Sequence, residues 1–146
     1  MTPAINYVEG MSQTISQAEH TRLPWHLRDN WAPVLDEITA TELRVEGAIP
    51  TELDGLYVRT GPNPLSGTSN HWFFGDGMLH GVRIRNGKAE WYRNRFVQTP
   101  NVTDPLDDDF AGMGDMTRGK GNTHVMPHNG KLMALEEAHW PWLVDG

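Results

Sequence analysis

The groups in these 146 residues that could do chemistry are seven histidines, 19 carboxylates and 12 lysines and arginines; there is no cysteine. Without thiols, a disulfide framework, a Cys-ligated zinc site and a thiol nucleophile are all excluded. What remains is imidazole and carboxylate, the donors of a non-haem metal centre or of an acid–base pair. His124 and His128 stand four apart, but Pro127 and Asn129-Gly130 disfavour a helix there, so the two do not share a helical face. On a strand they would point to one side, with the turn beginning at His128, and packed or solvated imidazole is the reading this spacing favours. His71, Asp76 and His80 form the other cluster. Two histidines and a carboxylate could ligate iron. Gly75 and Gly77 instead make Asp76 a turn residue whose carboxylate caps backbone N–H groups, between two apolar strands whose aromatics, Trp72, Phe73 and Phe74, belong to the core. Spacing alone supports the ligand set, so the turn reading is preferred.

Glu136 and Glu137 follow the apolar run 131–135, so strand alternation turns one of them inward, where it needs a donor such as an imidazole N–H. Arg59, Arg83, Arg85, Arg93 and Arg95 lie in strand-like segments, several at least partly covered, and read as a salt-bridge and carbonyl network rather than a substrate site.

The elements that must position these groups are short strands. Residues 53–60 enter a strand that Gly61-Pro62-Asn63-Pro64 stops, because proline cannot donate to a ladder. Residues 79–85 alternate, Asn86-Gly87 follows, and 88–98 alternate again. Asn-Gly between two such runs predicts a type I′ hairpin. A second hairpin is predicted from 123–126 through Asn129-Gly130 to 132–135. Between them, residues 99–121 read as a long loop with an acidic Asp107-Asp108-Asp109 run. Upstream, residues 23–34 suggest an extended segment pinned to a core by Trp25 and Trp31, and 37–45 suit a helical turn or an edge strand. Two Asn-Gly hairpins and no long helical period predict an all-β fold of four-stranded units. Residues 1–25 are predicted as a polar arm and 26–146 as the first part of the β domain.

A net charge of -7 argues against nucleic-acid binding, which needs a basic face. No apolar run reaches the roughly 18 to 20 residues of a membrane helix, and the N-terminus lacks a secretory pattern. A soluble, cytoplasmic protein without a transmembrane segment is expected.

Four runs together resemble the carotenoid oxygenases, the family of carotenoid and stilbene cleavage dioxygenases and the retinal-pigment-epithelium isomerase. They are LRDNWAPV (27–34), VEGAIPTELDGLYVRTGPNP (45–64), HWFFGDGMLHGVRIRNGKAEWYRNRFVQT (71–99) and NTHVMPHNGKLMALEE (122–137). The structural motifs carrying the match are Arg59, Gly61, Pro62, Asn63 and Pro64, then Gly75, Asp76, Gly77 and His80, then Arg93 and Arg95. The resemblance implies a seven-bladed β-propeller holding Fe(II) through four histidines, some of them oriented by glutamates, and cleaving a double bond of a hydrophobic polyene or stilbene with O₂. Glu137 matches the first of those glutamates, which accepts a hydrogen bond from an iron-bound imidazole, and this would account for the inward carboxylate. The family's first iron histidine has no counterpart here, so the resemblance places all four ligands beyond Gly146. Stilbene cleavers tend to carry lysine where Glu136 stands, which tilts the substrate towards carotenoids or apocarotenoids. Ala138-His139 replaces a frequent glycine pair.

A four-stranded blade takes roughly 40 to 45 residues, so seven need on the order of 300. This chain is therefore expected to be an N-terminal piece, an arm and about two blades, inactive and poorly stable alone, in a family that leaves room for peripheral membrane contact. The alternatives are a non-catalytic propeller remnant or partner-binding module without metal, and an independent β domain binding ligand through Trp25, Trp31, Trp140 and Trp142.

Overall fold

A computed structural model describes residues 22–108 and 110–145; most of the arm expected over 1–25 lies outside the described residues. Two antiparallel sheets make the fold. The first has the order β1-β4-β3-β2, built from β1 (Thr39–Ala40), β2 (Gly55–Pro62), β3 (Gly77–Arg85) and β4 (Lys88–Phe96). The second has the order β5-β6-β7, from β5 (His124–His128), β6 (Lys131–Leu135) and β7 (Trp142–Val144). A short helix, α1 (Pro100–Thr103), opens the segment between the sheets, with proline at its first turn where no N–H is needed.

Both predicted hairpins form, and for the predicted reason. Asn86 and Gly87 have φ of 48° and 73°, and Asn129 and Gly130 have 47° and 76°. These left-handed pairs match the twist of the flanking strands. They set the registers Arg85↔Lys88 and His128↔Lys131. His128 is thus the last residue of β5 rather than the start of the turn, and both His124 and His128 are exposed. The segment 37–45 resolves to the edge strand β1, whose Thr39 pairs with Arg93 and Ala40 with Tyr92.

The core sits where the sheets meet. Leu79 of β3, Val97 just after β4 and Ala134 of β6 are buried together, with Val58, Val125, Trp142 and Val144 packed around them. Met78, adjacent in β3, is buried on the opposite face, its sulfur 3.3 Å from the Asn94 side-chain nitrogen.

Two asparagines hold the upstream segment where a continuous strand is missing. Asn63 Nδ2 donates to the Val34 carbonyl and its Oδ1 accepts the Val34 N–H, at 2.8 and 2.7 Å. Asn94 likewise donates to the Asp36 carbonyl at 2.8 Å and accepts the Ile38 N–H at 2.7 Å. Each carboxamide stands in for a peptide group of the absent ladder. Arg95 adds bonds to the Ile38 carbonyl and the Thr39 hydroxyl.

Three expectations change. Residues 23–34 are not extended: Trp25–Leu27 and Asp29–Trp31 are 3₁₀ turns. The buried anchor is Leu27, while Trp25 and Trp31 are about half exposed, packed edge to face on each other and on Trp72. Trp72–Phe74 is likewise a 3₁₀ turn rather than a strand, and Phe73 is 64% exposed instead of buried, because the His71 ring caps the Phe73 N–H at 3.2 Å and breaks the extended run. The arginine network exists on the first sheet, where Arg83 meets Asp54 at 2.5 Å, but Arg59 and Arg93 are exposed and Arg93 lies over the Trp91 ring, 4.8 Å from its centroid.

Candidate functional site

The site is built where the segment 119–123 crosses the mouth of β3. Gly77 donates its N–H to the Lys120 carbonyl at 3.0 Å, and a Cβ at Gly77 would stand 2.4 Å from that same oxygen. Glycine is required there by close approach of two backbones. The turn before it is docked onto the same segment. Asn122, buried, donates through Nδ2 to the carbonyls of Phe73 and Gly75 at 2.8 and 2.7 Å, and Lys120 Nζ donates to the Phe74 carbonyl. Gly75 lies as closely against Asn63, whose N–H donates to the Asp76 carbonyl at 2.7 Å. The Asp76 carboxylate accepts the Leu65 N–H at 2.9 Å, tying this turn to the one that follows β2.

This docking fixes a cavity of about 360 Å³ whose walls include Phe73, Phe74, Met113, Glu136, Glu137 and His139. Glu137 is exposed, and its Oε2 accepts from the Thr123 hydroxyl at 3.1 Å. Its Oε1 has no partner among the described residues. The covered carboxylate is Glu136, not Glu137. It accepts the Lys120 N–H through Oε2 and faces His139 Nδ1 through Oε1 at 2.7 Å. Alternation did turn one glutamate inward and an imidazole does satisfy it, but both belong to this chain. Nothing in the spacing of Glu136 and His139 on a non-helical segment signalled the pair.

His71, Asp76 and His80 are not brought together. His71 is turned to Phe73 and Phe74, Asp76 to Leu65, and His80 Nδ1 to the Tyr92 hydroxyl at 2.7 Å. Burial, helped by the Arg59 guanidinium opposite it in the β2/β3 register, pushes His80 down to about 4. A neutral ring in a strand pair is a packing group. No cluster of three or more His, Asp or Glu side chains that could hold a metal occurs among the described residues. Of the motif residues, Gly61 and Pro62 reach the cavity wall, whereas Arg59, Asn63, Pro64, Arg93 and Arg95 lie away from it; Asn63 and Arg95 hold the upstream segment, and Arg93 covers the Trp91 ring.

Residues 31–146 match the sequence family described as retinal pigment epithelial membrane protein. A carotenoid cleavage oxygenase of Mycobacterium tuberculosis is 45% identical over 132 residues, covering 86% of this chain and 26% of that protein. Among solved structures, a lignostilbene dioxygenase of Pseudomonas brassicacearum is 32% identical with a TM-score of 0.61, covering 79% of this chain and 27% of that one. A cobalt-substituted apocarotenoid oxygenase of Synechocystis superposes with a TM-score of 0.65 at 22% identity over 77% of this chain and 28% of that one, a likeness of fold. The chain belongs to the carotenoid oxygenase family, and its two sheets are part of that family's β-propeller. It spans about a quarter of the length of the curated relatives it matches.

Proposed function

We infer that this chain is the N-terminal part of a non-haem Fe(II) dioxygenase that cleaves a double bond of a carotenoid or apocarotenoid with O₂, residues 26–146 forming the opening of its propeller. The observation that carries the reading is Glu137. Its carboxylate stands on the cavity wall, steadied at one oxygen by Thr123 and open at the other. That arrangement fits a carboxylate that accepts an N–H from an imidazole supplied by the rest of the protein, and does not fit a ligand set complete within the chain. Bound iron would supply the activation of O₂. Glu137 would hold the imidazole in one tautomer and orientation, which is how outer carboxylates tune a metal-bound histidine. Phe73 and Phe74 would give the cavity an apolar wall suited to a polyene.

The preference for polyene over stilbene rests on Glu136. Both its oxygens are engaged by His139 and Lys120, so it cannot reach out to a phenol in the way the lysine of stilbene cleavers does. Among the described residues no helix is long and apolar enough to cross a membrane. We place the protein in the cytoplasm, with exposed Trp25, Trp31 and Phe73 available for peripheral contact with a membrane holding the substrate.

The test is to purify the whole protein that carries this chain, measure iron by atomic absorption and follow loss of carotenoid absorbance under O₂. Glu137→Gln is expected to lower iron affinity or turnover about 10- to 100-fold, the usual cost of losing such a partner. Protein that binds no iron and consumes no O₂ would instead make this a non-catalytic scaffold.

A further inference from the structure

We propose that Glu136 and His139 form a protonation-dependent clamp that shuts the 110–115 loop across the cavity beside Glu137. The inference does not depend on iron or on the dioxygenase reading. His139 is 6% exposed and Glu136 18% at their side chains. One ring nitrogen, Nδ1, faces the Glu136 carboxylate at 2.7 Å, and the other, Nε2, faces the Met113 carbonyl at 3.1 Å. With Glu136 ionised both partners only accept a hydrogen bond, so both nitrogens must donate, and only imidazolium has two N–H groups. The closed arrangement is therefore written for the charged ring.

Loss of one proton leaves a lone pair facing one of the two oxygens. The carboxylate is the stronger acceptor and keeps the N–H, so the contact that fails is the one to Met113. The Gly119 backbone packs closely against His139, where an added Cβ would lie 2.6 Å from the His139 Cβ. That far end is held by bonds that do not titrate near neutrality: Trp142 Nε1 donates to the Gly119 carbonyl at 2.7 Å, Trp140 N to Met116 at 3.0 Å, and Asn101 Nδ2 to Arg118 at 2.6 Å. On the cavity side the loop is held at two points, Phe110 packed edge to face on Phe74 with ring centroids 4.7 Å apart and the Met113 carbonyl met by Nε2, and only the second depends on protonation. The charged groups around the ring are Glu136 and Glu137 from the end of β6, Asp115 and Arg118 from the loop, and Lys120 from the crossing segment. Asp115 is held below its usual range by its Thr117 hydrogen bonds, then by Arg118 and by His139 itself. The loop wall it closes includes Ala111 and Met113, so opening would widen the cavity along that wall.

The test is hydrogen exchange of peptides covering 110–118 in the whole protein from pH 5 to 8, corrected for the intrinsic rate. The protonation of His139 is read in parallel from ¹⁵N-histidine NMR. Protection is expected to fall about tenfold or more as the ring deprotonates, the size of a lost charge-assisted hydrogen bond. His139→Gln is expected to give low protection at every pH, and Glu136→Gln to move the transition to lower pH. The unmodified protein decides the matter even where a variant fails to fold. Protection that stays flat while the ring titrates, a ring that does not titrate between pH 5 and 8, or a neutral ring with a protected loop would each overturn the clamp.

Discussion

Replacing Gly77 with alanine is the sharpest probe of how the site is assembled. The added Cβ would stand 2.4 Å from the Lys120 carbonyl oxygen, 2.6 Å from that of Gly121 and 2.8 Å from the Gly121 carbonyl carbon, all of them backbone atoms. A carbon–oxygen contact relaxes near 3.3 Å, so the crossing segment must retreat by about 0.9 Å. The Gly77-to-Lys120 bond, now 3.0 Å, would not survive that shift. Overpacking of this kind costs about 1–3 kcal/mol and the lost bond about 0.5–1.5 kcal/mol, so about 1.5–4.5 kcal/mol is expected in total. The control is Gly55→Ala, where a Cβ meets nothing within 4 Å and φ is ordinary. There the methyl is neutral or slightly stabilising, by up to about 0.5 kcal/mol, through loss of unfolded-state freedom. Urea midpoints of the two variants and the parent, at matched m-value, give the comparison. A Gly77→Ala protein within about 0.5 kcal/mol of its parent, or a Gly55→Ala protein equally destabilised, would refute the claim that close approach is what selects glycine in this motif.

Asn94→Leu is nearly isosteric but strands the Ile38 N–H and the Asp36 carbonyl, so a loss of about 2–5 kcal/mol is expected in the same urea assay. His80 titrates near 4 when folded and at 6.5 in its reference state, so the unfolded chain takes up the proton first as pH falls. Its contribution is fully present above about pH 6.5 and is lost as pH drops through about 4. Screening of a half-buried ring leaves about 1–2 kcal/mol of that, and His80→Gln should flatten the acid limb of a midpoint-against-pH plot. Residues 1–146 alone are expected to be poorly stable and to self-associate, since Tyr57 on the edge strand β2 and Leu143 on the edge strand β7 are each more than 60% exposed. A sharp two-state melt of a monomer would contradict this.

The hairpins were legible because they are decided locally: Asn-Gly fixes the turn geometry, and the turn fixes the register. The 3₁₀ turns were not, because they are decided from a distance. Trp72–Phe74 carries the residues of a strand, yet Asn122 and Lys120, some 46 to 49 residues on, take the carbonyls that a ladder would have used. A residue-by-residue reading weighs β-propensity and aromatic burial and has no access to such partners. The same limit explains the tryptophans, which were expected as anchors and instead stack on one another at the surface.

The paired glutamates show where alternation succeeds and where it stops. It called for one inward carboxylate after β6, and one of the pair is covered, although both lie just past the strand's end at Leu135. Which of the two turns inward depends on what lies on each side. Here a histidine three residues further on draws Glu136 to itself and leaves Glu137 facing the cavity. A glycine in place of His139 would leave Glu136 with the Lys120 N–H alone, so the carboxylate's burial would have to be met by one bond instead of two. His139→Gly therefore separates the two glutamates by experiment. It should loosen Glu136 and the 110–115 loop while leaving the Thr123-to-Glu137 contact intact, and chemical-shift changes confined to the loop side of β6 would distinguish that result from a general collapse of the strand.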